Sequence, residues 1–273
     1  MEQIRLTGAQ ETLLATLYAK ALDNRSPFPV LGDRTAEGLM ARVDYDFAKM
    51  KFIGRDRRTV TFRAKKLDEW TTRFLGRHPD ATVLHLGCGL DSRAFRLDLP
   101  PTVRWIDVDQ PDVIELRHKL YPSRDDYQTI ATSVTNSSWL DLVPNRRPTL
   151  VIAEGLTPYL QEADGLTMLR RLVDHLPGGE MMFDAVLPWT LRIAKHSRLI
   201  RTTGASFGWA VGDPRSLEHL VPGLELVEEW SLLDSPHLAR ARVRDRLAAS
   251  VMKLARPLRY AHRLLHYRFG AVS

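Results

Sequence analysis

Six consecutive residues, Gly87-Cys88-Gly89-Leu90-Asp91-Ser92, end a short β-prone run, Thr82-Val83-Leu84-His85-Leu86, and two carboxylates, Asp107 and Asp109, follow near the end of the next such run. Glycine at 87 and 89 lets the backbone turn tightly and approach a ligand in space that a Cβ would otherwise fill. A carboxylate about 20 residues beyond the turn, at the end of the second strand, can accept hydrogen bonds from both hydroxyls of a ribose. Alone, a Gly-x-Gly turn says little, because structural turns use glycine for the same steric reason. Paired with the acids, it points to a nucleoside.

Which nucleoside is narrowed by two departures from the dinucleotide pattern. Gly-x-Gly-x-x-Gly needs glycine where Ser92 stands, and Asp91 sets a carboxylate beside the helix N-terminus that a pyrophosphate would occupy. A downstream Tyr-x-x-x-Lys pair is also missing. An NAD-type oxidoreductase is therefore the alternative reading, and a sulfonium nucleoside with a free amino-acid end, which carries no phosphate, the preferred one. Cys88 is the single cysteine, which excludes an intramolecular disulfide and any cysteine-rich metal cluster. Between two glycines it reads as a small buried turn residue rather than a reactive thiol, and His85, inside a strand, as a core histidine. No metal site is expected.

Strands and helices must alternate to position these groups. Apolar spacing of three and four predicts a helix from Thr12 to Leu22, and further helical patches cover Thr35 to Lys51 and Thr59 to Leu75. Residues 1–78 read as a helical N-terminal cap. From residue 79 to 188 strand-like runs (82–86, 103–108, 127–133, 149–153, 180–186) alternate with helical stretches, the sign of a mostly parallel sheet covered on both faces. Residues 189–222 read as an inserted helical lid. Two late strands, 224–232 and 262–269, flank a basic helix in the closing segment 223–273. With 273 residues, 44% of them hydrophobic, one domain with appendages is expected.

Three segments in order, Val83 to Ala94, Trp105-Ile106-Asp107-Val108-Asp109-Gln110-Pro111 and Ala153-Glu154-Gly155-Leu156-Thr157-Pro158-Tyr159-Leu160, resemble the leucine carboxyl methyltransferase family. Within it the likeness is to the TcmP-like bacterial O-methyltransferases of polyketide biosynthesis. The resemblance extends to Thr12–Ala21, Ile130–Leu140 and Tyr260–Phe269. It implies a Rossmann-like class I fold with a seven-stranded sheet, and S-adenosyl-L-methionine as cofactor.

It also implies residue roles. Arg63 matches the arginine that binds the cofactor's carboxylate, with Lys51 near it; on composition alone, Arg63 reads instead as a surface helix residue among Arg57, Arg58, Lys65 and Lys66. Gly87, Cys88 and Gly89 would line the methionine and ribose, and Asp109, with Asp107, Val108 and Gln110 in the same motif, would hold the ribose. Ser133-Val134 falls where relatives carry Asp-Leu beside the adenine. Glu154, followed by Gly155, matches a glutamate near the sulfonium and amino group. Tyr159 matches a motif tyrosine whose ring has packing as its alternative role.

Displacement at a sulfonium needs alignment above all. A carboxylate acceptor needs no general base, whereas a phenol benefits from one, and Tyr159, His196 and His219 are the candidates. Trp189, Phe207 and Trp209 with Arg192, Lys195, Arg198 and Arg201 suit a flat acidic or aromatic small molecule. Nine Lys/Arg against one acid lie between Arg240 and Arg268. Alternating with Leu247, Val251 and Leu254, they read as the solvated face of a helix rather than a nucleic-acid-binding module, since stacking aromatics are missing from the first half. No apolar run approaches the roughly 20 residues of a membrane span. The expected protein is cytoplasmic, a monomer or homodimer, without nucleic-acid or membrane partners.

Overall fold

The computed structural model describes residues 2–3, 11–48, 50, 57–194 and 206–270. Helices lead, as the apolar spacing requires: α1 (Glu11–Asn24), α2 (Arg34–Arg42) and α3 (Arg57–Arg77). The carboxylate of Asp33 caps α2 by accepting from the Ala36 amide at 3.0 Å. Helix α2 stops at Arg42, short of the patch read to residue 51. A short parallel pair, β1 (Glu2–Gln3) and β2 (Val43–Asp44), follows its end.

The alternating region then supplies β3 (Thr82–Leu86), α4 (Arg93–Arg96), β4 (Arg104–Asp109), α5 (Pro111–Leu120), β5 (Tyr127–Ala131), β6 (Thr149–Ala153), α6 (Glu162–His175) and β7 (Gly178–Val186). After α7 (Pro188–Ala194) come α8 (Ser216–Leu220), β8 (Leu224–Ser231), α9 (Val243–Lys253), α10 (Arg256–Arg259) and β9 (His262–Gly270). Seven strands form one sheet in the order β5-β4-β3-β6-β7-β9-β8. The first five run parallel, and β9 lies antiparallel between β7 and β8. Strand order reverses at β3, with β4 on one side and β6 on the other, which is where open α/β sheets bind ligands at their carboxyl ends.

Side chains alternate strictly across the sheet. Leu84, Leu86, Ile106, Val108, Val151, Ala153 and Phe183 join α6 in one buried cluster. Val83, Trp105, Leu150, Ile152 and Met182 join Phe62, Leu67, Trp70 and Phe74 of α3 in the other. A third cluster packs Leu13, Leu14 and Leu17 of α1 and Leu39 of α2 against Leu90, Val113 and Leu116. The N-terminal helices are thus structural walls of the sheet, not a preface to it.

One expectation changes. Trp209, Val211, Leu217 and Val221, read as part of a lid, lie in the main core, and a Cβ on Gly165 of α6 would stand 2.3 Å from the Trp209 ring. Residues 208–221 therefore close one face of the sheet. In α9 and at its C-cap the apolar stripe faces outward, with Leu247 63%, Val251 65% and Leu254 86% exposed, while Ala249 is buried. Among the described residues no helix is long and apolar enough to cross a membrane.

Candidate active site

At the carboxyl ends of β3, β4, β6 and β7 lies a cavity of about 740 Å³, reached by residues of α1, α3, α7 and β9. Its floor is the glycine turn. Gly87 and Gly89 adopt φ of +62° and +51°, and a Cβ on Gly87 would stand 3.0 Å from Leu156, so this path is open only to glycine. Asp109 fixes the turn from the next strand: one carboxylate oxygen accepts from the Gly89 amide and the other from its neighbour Gln110, each at 2.7 Å. Burial raises the Asp109 pKa, against the pull of those two amides.

Asp91 lies beneath the turn, with its carboxylate accepting from the Arg93 amide at the start of α4 and from the Lys20 and Arg96 side chains, while the Arg93 guanidinium stands 3.6 Å away. Although burial opposes ionisation, Arg93, Arg96 and Lys20 hold its pKa well below the usual carboxylate range. Ser92 donates to Asp33 at 2.6 Å.

Glu154, at the end of β6, is the hub of the acidic side. Arg63 Nε donates to one of its oxygens at 3.1 Å and Arg93 Nη2 to the other at 2.6 Å. Burial penalises its charge, yet Lys20, Arg93 and Arg63 prevail and lower its pKa to about 2. Arg63 also reaches Asp184 of β7 at 2.8 Å, and Asp184 accepts from the Gly155 amide at 2.7 Å. Asp91, Glu154 and Asp184 with Lys20, Arg63, Arg93 and Arg96 so form one network under the cavity, in which each buried charge meets a partner, as low dielectric demands.

Along the walls, Ser133, Val134 and Gln110 line the end near β4, while Val186, Thr190, Ile193, Phe207 and His262 line the end near β7 and β9. Tyr159 joins this second group, its ring centroid 4.8 Å from that of Phe207. Burial raises its pKa, so the phenol stays protonated at neutral pH. Cys88 lines the cavity as a buried thiol that burial keeps un-ionised.

Of the residues singled out from sequence, the cavity gathers Arg63, Gly87, Cys88, Gly89, Asp109, Gln110, Ser133, Val134, Glu154, Gly155 and Tyr159. Asp107 and Val108 are corrections. Strand alternation puts Val108 in the core, and Asp107, fully buried, is clamped by Arg117, Tyr127 and the Trp105 indole, with His85 at 3.3 Å. Asp107 braces the strand instead of facing the cavity. His219 sits exposed on α8, outside the cavity lining. Lys51, Lys195, His196, Arg198 and Arg201 lie outside the described residues.

Lys20, Asp184, Thr190 and His262 were not foreseen. Lys20 falls on the apolar face of α1, seven residues after Leu13, and Asp184 interrupts the apolar run of β7. A charge in a position that periodicity assigns to the core is the signal that marks both. Among the described residues no cluster of side chains suits a metal ion.

A sheet of this order with a glycine turn facing a strand-end acid defines a Rossmann-like class I methyltransferase fold. Solved structures agree: a protein of Thermobifida fusca proposed to be a methyltransferase superimposes with a TM-score of 0.60 at 18% identity, covering 94% of this chain and 95% of its own. A duf574 family protein of Streptomyces avermitilis gives 0.60 at 14%, with 92% and 97% covered. Residues 13–173 match the sequence profile of leucine carboxyl methyltransferases. The chain is 65% identical, over 98% of its length and 99% of the relative's, to the tetracenomycin polyketide synthesis O-methyltransferase TcmP of Streptomyces glaucescens. It is 38% identical, over 85% of each chain, to the S-adenosyl-L-methionine-dependent methyltransferase dpfgK of Gibberella zeae. The protein belongs to the leucine carboxyl methyltransferase family, and the oxidoreductase and non-catalytic readings fall away.

Proposed function

We propose that the protein transfers a methyl group from S-adenosyl-L-methionine to an acidic oxygen, a carboxylate or a phenolic hydroxyl, of a small aromatic polyketide-like product. The observation that carries the reading is one continuous cavity running from Asp109 to the apolar wing of Val186, Ile193 and Phe207. It passes β4, β3, β6, β7 and β9, four strand steps of about 4.8 Å, or roughly 19 Å. That length accommodates two ligands end to end.

The donor set fits a zwitterionic nucleoside. Asp109 would accept from the ribose hydroxyls, with Gly87, Cys88 and Gly89 along the methionine side and Gln110, Ser133 and Val134 around the base. Arg63 and Lys20 offer cations to a carboxylate, and Glu154 and Asp184 offer acids to an ammonium. When bound, this cofactor supplies a methyl group on a sulfonium that already leaves well. The chain's own part is to hold the acceptor oxygen in line and exclude water. Tyr159, held as a neutral phenol, packs against Phe207 and is a poor base, which favours an acceptor that arrives ionised.

The identity to a polyketide O-methyltransferase supports the acceptor class. We further propose that the protein works on a small molecule in the cytoplasm, as a monomer or homodimer, without nucleic acid. Incubation with methyl-labelled cofactor and a panel of aromatic polyketide acids, followed by mass spectrometry, should yield a methyl ester or methyl ether. Binding of S-adenosylhomocysteine in calorimetry with no methylation of any aromatic acid would overturn the acceptor assignment.

A further inference from the structure

Among the described residues of the apolar wing, Thr190 carries a polar group without a partner. Thr190, in the first turn of α7, is 93% buried, since its relative exposure is 7%, and it lines the cavity. Its Oγ1 meets no hydrogen-bond partner among the described residues. Threonine hydroxyls inside helices usually turn back to the carbonyl three or four residues earlier, and Thr71 and Thr167 do so here at 2.7 Å. Thr190 forgoes that bond. A buried hydroxyl left unsatisfied is costly in the ligand-free protein, and native structures keep such groups for a reason.

The surroundings indicate what it meets. Val186, Ile193, Phe207 and Leu160 offer only carbon to a flat ring system, Tyr159 is bonded to Thr12, and His262 at the same end is already engaged. We propose that the Thr190 hydroxyl anchors the acceptor, donating a hydrogen bond to a carbonyl oxygen carried on its fused rings, so that the enzyme selects oxygenated aromatic acids over plain hydrocarbon ones. This rests on the aromatic-acid reading above and adds the oxygen that reading does not specify. One placed hydrogen bond in a dry pocket fixes how a flat molecule lies and therefore which of its oxygens faces the methyl donor.

Two acids of nearly the same shape separate the possibilities. Anthraquinone-2-carboxylic acid carries ring carbonyls and anthracene-2-carboxylic acid does not. Binding of each to the S-adenosylhomocysteine-loaded enzyme, followed by tryptophan fluorescence, should favour the quinone by roughly tenfold in wild type. Thr190→Val should erase that preference while leaving the hydrocarbon acid and S-adenosylhomocysteine affinities unchanged, and Thr190→Ser should restore it. Because the valine removes an unsatisfied group, its melting temperature should equal or exceed that of wild type, so misfolding is told apart from lost recognition. A quinone preference that persists in Thr190→Val, or is absent from wild type, overturns the anchor. Failure of wild type to bind either acid, with S-adenosylhomocysteine still bound, overturns the acceptor class and the anchor with it.

Discussion

At the scale of single residues, Asp109 ties local structure to chemistry most directly. Its two oxygens are each spent once, on the Gly89 and Gln110 amides, leaving further lone pairs toward the cavity. Burial raises its pKa above the ordinary value of 3.8. In the free enzyme the folded state thus keeps this proton to higher pH than the unfolded chain, so the carboxyl's contribution to stability is present at acid pH and is lost as pH rises through that window. Ligand binding runs the other way, since only the ionised form accepts from two hydroxyls. S-adenosylhomocysteine affinity, measured by calorimetry across pH 4 to 8, is expected to weaken on acidification starting above the normal carboxylate range. Asp109→Asn should flatten that profile and lower affinity at pH 7.5 about 10- to 100-fold, the worth of a charge-assisted hydrogen bond. A pH profile identical in the variant would remove Asp109 from the site.

At the scale of elements, what can be read in the chain follows from how local the determining interaction is. Alternating strands and helices, the glycine turn and the strand-end acid are local, and each is legible. Less local is the side on which an element is buried. The stripe Leu247, Val251, Leu254 in α9 looks like a core face, but it stands outward, because this helix packs through small Ala249 and through the Arg58–Asp245 ion pair at 2.8 Å. Trp209 reads as part of a lid and instead fills the space over Gly165, a match that requires knowing which distant segment lies opposite. Arg93 and Arg117 are illegible for the same reason, as their partners Asp68, Glu154 and Asp107 come from other elements.

These differences have measurable weight. Arg93 is fully buried and bonded to Asp68 and Glu154, so Arg93→Ala removes a buried cation from both, leaving Asp68 to Arg96 and Glu154 to Arg63, and should cost about 3–5 kcal/mol in urea unfolding. Leu254→Ala, on an 86% exposed side chain, should change stability by less than about 0.5 kcal/mol, although a helical wheel ranks Leu254 as core. Comparable losses for both variants would mean that α9 is buried by its stripe after all.

At the scale of the whole molecule, the cavity joins parts of the chain that are far apart in sequence. Lys20 of α1 pairs with Asp91 in the turn, Arg63 of α3 pairs with Glu154 and Asp184 from two strands, and Leu13 touches the space beside Gly89. A ligand lying across these elements binds only when they are assembled, so its binding free energy is added to the stability of all of them. At a concentration 100 times its Kd the linkage amounts to about 2.7 kcal/mol, enough to raise the melting temperature by roughly 5–10 °C in a domain of this size. Hydrogen exchange locates the effect. With S-adenosylhomocysteine bound, protection is expected to rise in α1 and α3 as much as in the turn at residues 87–92. Strand β8 and helix α9 contribute nothing to the cavity lining and should change little. Protection confined to the turn would show that α1 and α3 serve the sheet alone and that the N-terminal helices have no share in holding the cofactor.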